Sequence, residues 1–182
     1  QLVASDSIKI VGKVLVNGEN GANGGDAGNG GISPNCCSDG CDDSGEATLS
    51  CGAGAGSGGG GGSGGGIYIE SQTLALITGT LQSNGGNGGN SGQKGNGTTT
   101  NYSGGVFCGN QTITSGNGNL GNKGGAAGGG RIKIFVPTCS SSTVNPIYTI
   151  NGGTGITNAS SGSYQVICGV TNISDAIKEQ YA

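Results

Sequence analysis

Residues 64–89 read GGGIYIESQTLALITGTLQSNGGNGG, and this stretch sets the pattern for the rest of the chain. Apolar residues alternate with others at Ile67 and Ile69 and again at Leu74 and Leu76, with the period of two that is typical of half-buried strands. Glycine tracts stand on both sides of these apolar residues. The stretch therefore predicts a pair of β-strands that the chain enters from glycine and leaves into glycine.

The same pattern recurs along the chain. Residues 5–18 match residues 71–85 with one residue inserted, and GGGRIKIF at 128–135 repeats the passage from glycine into a strand. Further strands are expected at 147–150 and at 163–170. We therefore expect a mainly β fold in a single domain of residues 1–182, as a small disulfide-stapled sheet or sandwich or as a β-helix-like module.

Glycine occupies every third position in three tracts. The tract 17–31 has one slip in this period, whereas 84–97 and the beginning of 116–130 keep it. A period of three matches the extended left-handed helix, in which close side-by-side packing requires every third side chain to be absent. This helix has no internal hydrogen bonds, so its backbone groups need partners on neighbouring tracts. We predict that the three tracts lie side by side in a polyglycine-II-like arrangement. Residues 52–66 show no single period, so the sequence gives the least support for an ordered tract there.

The cysteine content indicates a secreted protein. Only 31% of the residues are hydrophobic and 45 of 182 are glycine, so the core must be thin and needs covalent support. Cysteine without histidine favours disulfides in an oxidising compartment over a metal site. The disulfide candidates are Cys36, Cys37, Cys41, Cys51, Cys108, Cys139 and Cys168. The adjacent Cys36 and Cys37 are expected to have different partners, with Cys41 and Cys51 as candidates, and the odd cysteine is free or bonded to another subunit.

The sequence offers little for catalysis or cofactor binding. Histidine is absent, and the single arginine, Arg131, argues against a polysaccharide lyase, which needs several basic residues. The acidic residues Asp39, Asp42, Asp43 and Glu46 do not have the spacing of an EF-hand loop, so a solvated loop is favoured over a calcium site. We therefore predict no enzymatic activity, no catalytic residue, no metal site and no cofactor.

Charge and hydrophobicity restrict the partners. The net charge of −3 gives no electrostatic support for nucleic-acid binding, and the longest apolar runs are far shorter than a membrane helix. We therefore expect a mature extracellular chain with no membrane insertion. Five Asn-x-Ser/Thr sequons are candidate glycosylation sites, at Asn96, Asn101, Asn110, Asn158 and Asn172. The first three lie in a polar loop, residues 95–115, where at least one is expected to carry sugar.

Two resemblances add to this interpretation. The runs GGGIYI, ITGTL, NGGNGG and GGGRIKI, in the order of the chain, resemble the glycine-rich repeats of secreted bacterial and protist surface proteins. This resemblance implies an extracellular surface location and no particular activity. The triplet tracts resemble polyglycine-II proteins, which include a snow-flea antifreeze protein and a phage tail-fibre adhesin.

The leading hypothesis is a structural subunit of an extracellular fibre, sheath or coat. Its partners would be further copies of the chain, joined through chain ends and sheet edges. One alternative is an ice-binding protein, which requires a flat face of regularly spaced Thr or Ala, whereas the threonines at 98–100 and 112–114 are local clusters. A second alternative is a glycan-binding adhesin, which stacks aromatic rings on sugars, although aromatic residues make up only 4% of this chain.

Overall fold

The computed structural model describes residues 1–31, 51–103 and 110–169. These residues contain twelve strands and no helix, so the expected mainly β fold is confirmed. The strands are β1 (Leu2–Ala4), β2 (Ser7–Ile10), β3 (Lys13–Leu15), β4 (Gly66–Ser71), β5 (Leu74–Ile77), β6 (Thr80–Gln82), β7 (Thr99–Ser103), β8 (Asn110–Thr114), β9 (Arg131–Val136), β10 (Thr143–Val144), β11 (Ile147–Thr149) and β12 (Ser163–Cys168). The contacts divide the chain into unit 1, with Gln1–Gly21, Gly60–Gly88 and Gly125–Ala182, and unit 2, with Ala22–Gly59 and Gly89–Gly124.

Unit 1 contains three parallel sheets. Sheet A has the order β1-β4-β9-β12, sheet B the order β10-β5-β2, and sheet C the order β11-β6-β3. The chain visits the sheets in the order A, B, C three times, and we call β1–β3 the first pass, β4–β6 the second pass and β9–β11 the third pass. The strand β12 returns to sheet A after the third pass. Each strand therefore pairs with the equivalent strand of another pass, not with its neighbour in sequence.

The strands differ from the sequence-based expectations in three details. The strands β4 and β5 do not pair with each other, because they belong to different sheets. The alternation that begins at Ile67 keeps its phase into β5, so Ala75 and Ile77 are buried while Leu74 is 43% exposed. The expected one-residue insertion is also absent, since Ala4 pairs with Ser71 and Ser7 with Leu74 at the same separation.

The apolar core of unit 1 is centred on the second pass and sheet A. Its buried members are Ile67, Ile69, Ala75, Ile77, Leu81, Ile132, Ile134 and Val136. Half-buried residues of the first pass, such as Ile10 and Val14, pack on one side of it, and residues such as Val144 and Ile150 of the third-pass segment pack on the other. Inner strands have partners on both sides, which is why their side chains are the most completely buried.

One disulfide bond lies within the described residues, between Cys139 and Cys168. It ties the segment after β9 to the end of β12, across 29 residues of sequence. Cys51, one of the two candidate partners named for Cys36 and Cys37, is a free and exposed thiol. Cys36, Cys37, Cys41 and Cys108 lie outside the described residues. Across the part of the chain that the structure describes, no helix has the length and apolar character needed to span a membrane.

Candidate assembly surface

The glycine tracts of unit 1 are joined by backbone hydrogen bonds. The N–H groups of Gly18 and Gly21 donate to the carbonyl oxygens of Asn84 and Asn87, both at 2.8 Å. Residues 60–65 run back beside the first tract, with the Gly62 N–H donating to the Glu19 carbonyl at 2.7 Å. The donors recur every third residue, as a helix with three residues per turn requires.

The tracts of unit 2 follow the same rule. The N–H groups of Gly24, Ala27 and Gly30 donate to carbonyl oxygens of residues 90, 93 and 96 at 2.8–2.9 Å. Because Ala27 continues the series of donors, the slip in the glycine positions of the tract 17–31 is not accompanied by a slip in the hydrogen-bond register. The N–H of Gly118 donates to the Gly95 carbonyl at 2.9 Å, so the prediction that the three tracts lie side by side is confirmed.

The segment 52–66, which the sequence marks as the weakest case, is hydrogen-bonded on several sides. Within unit 2, the N–H groups of Gly52, Ala55 and Gly58 donate to residues 116, 119 and 122, while those of Ala53 and Gly56 donate to residues 28 and 25. The period of three is therefore present in its donors, although Ala and Ser interrupt its glycines. These residues form an ordered tract in the structure.

Close backbone approach explains the glycine spacing. A Cβ atom at Gly92 would overlap the carbonyl oxygen of Gly25, and one at Gly58 would overlap that of Gly89. By contrast, a Cβ atom at Gly28 would meet nothing within 4 Å. Glycine is thus required where a tract faces a neighbouring backbone, and tolerates replacement where it faces open space.

Asparagine side chains form a second set of hydrogen bonds, which the glycine period does not predict. In unit 1 the Asn17 Oδ1 accepts a hydrogen bond from the Asn84 N–H at 2.9 Å, and the Asn84 Oδ1 accepts one from the Asn151 N–H at 2.8 Å. We call this series the amide ladder; each step spans 67 residues. The Asn20 Oδ1 and the Asn87 Oδ1 make the equivalent bonds to Asn87 and Thr154, both at 2.8 Å.

The amide ladder also occurs in unit 2. The side-chain oxygens of Asn23, Asp26 and Asn29 accept hydrogen bonds from the N–H groups of residues 90, 93 and 96, at 3.0, 2.7 and 2.9 Å. Asp26 shows that a carboxylate serves as well as an amide, because only an acceptor is needed. The signal in the sequence is the recurrence of Asn at positions 67 apart, which a search for the glycine period alone does not detect.

The hydrogen-bond pattern of unit 1 is open at both ends. In the tract that follows β3, the N–H and C=O groups of Asn17 have no partner among the described residues. In the tract that follows β11, the Gly152 N–H and the Asn151 Oδ1 also have no partner among these residues. One end therefore presents a donor and an acceptor in the positions that complement an acceptor and a donor at the other end.

The apolar core is open at the same two ends. Tyr148 occupies the position in sheet C that Leu81 holds one pass earlier and Val14 two passes earlier. Leu81 is fully buried, whereas Tyr148 is 47% exposed and stacks on Tyr164 with ring centroids 4.1 Å apart. Tyr148 is exposed because no described strand lies beyond β11 in sheet C. We define the third-pass edge as β10, β11 and residues 150–155. The first-pass edge comprises β2, β3 and residues 16–21.

The candidate glycosylation sites differ in their surroundings. Residues 99–114 are not a polar loop throughout, because β7 and β8 form an antiparallel pair. Asn96 and Asn158 are exposed, and the exposed Asn101 accepts a hydrogen bond at its Oδ1 from the Thr112 hydroxyl at 2.8 Å. Asn110 begins β8, whereas Asn172 and the acidic residues 39–46 lie outside the described residues.

One buried polar group lies on sheet A. The Tyr68 hydroxyl donates to the Glu70 carboxylate at 2.6 Å, and the Gln72 amide donates to the same carboxylate at 2.8 Å. Burial, followed by the hydrogen bond and negative charge of Glu70, raises the pKa of Tyr68 well above the ordinary tyrosine value. These bonds satisfy the carboxylate, which is 1% exposed, and give the cluster a structural role. Among the described residues, no group of three or more His, Cys, Asp or Glu is placed to hold a metal ion.

Comparison with known proteins finds no matching family model, no similar curated protein and no similar solved structure.

Proposed function

We propose that this protein is a structural subunit of an extracellular fibre, sheath or surface coat, built from copies of itself and carrying glycans. The observation that carries the proposal is the presence of two open edges on unit 1, each with unpaired backbone groups beside a partly exposed apolar core. Repeat proteins that remain monomeric need terminal repeats with a polar outer face. The two edges lack a polar outer face, because they present Tyr148, Val14 and Ile10. A further copy would cover these side chains.

An extracellular location agrees with two further features. The Cys139–Cys168 disulfide favours an oxidising compartment, where such bonds form and persist. The exposed Asn96 begins an Asn-Gly-Thr sequon, so its side chain is accessible to a glycosylation enzyme. Both features support a chain that acts outside the cell.

Ice binding is the second candidate, and one observation favours it. In unit 2, the exposed Asn23, Asp26 and Asn29 repeat every third residue beside the exposed Asn90, Gln93 and Asn96, which makes a regular array of polar side chains. This array differs from the Thr or Ala face expected of an ice-binding protein. A measurement of thermal hysteresis separates the two candidates, since a fibre subunit has no reason to depress the freezing point.

Sedimentation velocity of the purified, non-reduced protein tests the proposal. We expect polymers at micromolar concentration, because each added copy covers two apolar edges and supplies backbone partners. A single species with the 17.3 kDa mass of one chain over the whole concentration range would contradict it.

A further inference from the structure

We infer that copies of this chain join head to tail, the first-pass edge of one copy lying on the third-pass edge of another in the register that relates successive passes. This inference rests on the proposed function and specifies the interface. In this register Lys13 of one copy lies opposite Ile147 of the other, and Asn17 lies opposite Asn151. Within one chain, Thr80 stands between Lys13 and Ile147, and Asn84 stands between Asn17 and Asn151.

The hydrogen-bonding groups of the two edges are complementary. Between passes within the chain, the Gly18 N–H donates to the Asn84 carbonyl at 2.8 Å, while the Asn84 N–H donates to the Asn17 Oδ1 at 2.9 Å. In the proposed contact the Gly152 N–H donates to the carbonyl of the second copy's Asn17, whose N–H donates to the Asn151 Oδ1. All four groups lack partners within the described part of one chain, so the contact leaves each of them satisfied.

The apolar side chains of the two edges are also complementary. The pairing Val14–Leu81–Tyr148 in sheet C places Val14 of the second copy over Tyr148. In sheet B the pairing that passes through Ile77 places Ile10 over Val144. The interface therefore continues the core across the junction, and side chains that are partly exposed in one chain become buried.

Sheet A limits which strands take part. The strand β12 already pairs with β9, in the place that the second copy's β1 would occupy. The contact therefore uses β2 and β3 of the second copy. The three-residue β1 of the second copy is displaced from sheet A, and the six-residue β12 of the first copy keeps its position there. Leu2 and Val3 in β1 are 42% and 43% exposed, so little burial is lost. Each copy then adds three layers of strands to the assembly.

A double-cysteine variant tests the register directly. Lys13 and Ile147 are both exposed, and neighbouring strands hold opposite residues at a Cα separation that a disulfide spans. K13C/I147C should give a ladder of covalent dimers, trimers and larger species on a non-reducing gel. K13C/I156C is the matched control, because Ile156 is 61% exposed, close to the 68% of Ile147, but lies outside the contact. This control and the wild-type chain should show only the background from native thiols.

Substitutions at Asn151 test the amide ladder. N151L removes the acceptor, although the Asn151 side chain makes no bond within the described part of the chain, and should raise the concentration needed for polymerisation about fivefold. N151D should polymerise like the wild type, because Asp26 fills the equivalent role in unit 2. N119L changes an exposed Asn of unit 2 that is not part of a sequon, so it is the control and should have no effect.

The outcomes separate the inference from the proposed function. Polymers that form without the K13C/I147C cross-link, or with N151L at wild-type concentrations, would overturn this register and leave the fibre proposal standing. A wild-type protein that stays monomeric in sedimentation would overturn both.

Discussion

Replacing Gly86 by alanine should disrupt the tract packing of unit 1. A Cβ atom there would overlap the carbonyl oxygen of Glu19 and approach the Gly62 nitrogen to 3.1 Å. Both neighbours are backbone atoms, so rotation of a side chain cannot relieve the overlap. The tract must move away, and two bonds are then stretched or lost: Gly86 N–H to Gly62 carbonyl at 2.8 Å and Gly62 N–H to Glu19 carbonyl at 2.7 Å.

The expected loss of unfolding free energy follows from these contacts. Two backbone hydrogen bonds contribute about 1 kcal/mol each, and overpacking costs about 1–3 kcal/mol. The G86A variant should therefore lose about 3–5 kcal/mol. In a chain of 182 residues each kcal/mol shifts the melting temperature by about 2–4 °C, so the midpoint should fall by at least about 6 °C.

Calorimetry or chemical denaturation of G86A and a matched variant, G125A, provides the test. A Cβ atom at Gly125 would meet nothing within 4 Å, and its backbone does not adopt a positive φ. G125A should therefore be unchanged or more stable by about 0.4–1 kcal/mol, because alanine restricts the unfolded chain. Equal stabilities of G86A and G125A would refute the argument that glycine is required by close backbone approach.

Three other measurements test separate features. Because the pKa of Tyr68 is raised in the folded state, the neutral tyrosine stabilises the fold below about pH 10, and this stabilisation is lost as the pH rises further. Above that pH, the melting temperature of Y68F should therefore fall less steeply than that of the wild type. Replacing Cys139 and Cys168 by serine opens a 29-residue connection and should cost about 3–4 kcal/mol in urea denaturation, and unchanged stability would argue against a structural role for this disulfide. Glycosidase treatment should lower the mass of protein from a eukaryotic secretory host, and N96Q should remove part of that loss; an unchanged mass would remove the glycan from the proposal.

Local patterns predicted many strands but not their partners. Alternation bounded by glycine located β4, β9, β11 and β12, because the period of two reflects local backbone geometry. It could not show that β4 pairs with β9, since parallel pairing joins residues far apart in sequence. The expected pairing of β4 with β5 was wrong for this reason.

The candidate assembly surface was only partly predictable. The side-by-side tracts followed from the glycine period, which marks where a side chain would meet a neighbouring backbone. The amide ladder was missed because Asn17, Asn84 and Asn151 form side-chain bonds to a backbone 67 residues away, and no local pattern reports such a bond. Comparing the sequence with itself at that separation would have aligned these three residues.

Cryo-electron microscopy of the non-reduced protein tests the central claim most directly. Neighbouring strands are about 4.8 Å apart, so three layers for each copy give a rise of about 14 Å along the stacking direction. We predict filaments whose strands are stacked at this spacing along the axis and whose subunits repeat at about 14 Å. Monodisperse particles of one chain, or filaments whose subunits meet away from the first-pass and third-pass edges, would contradict the account.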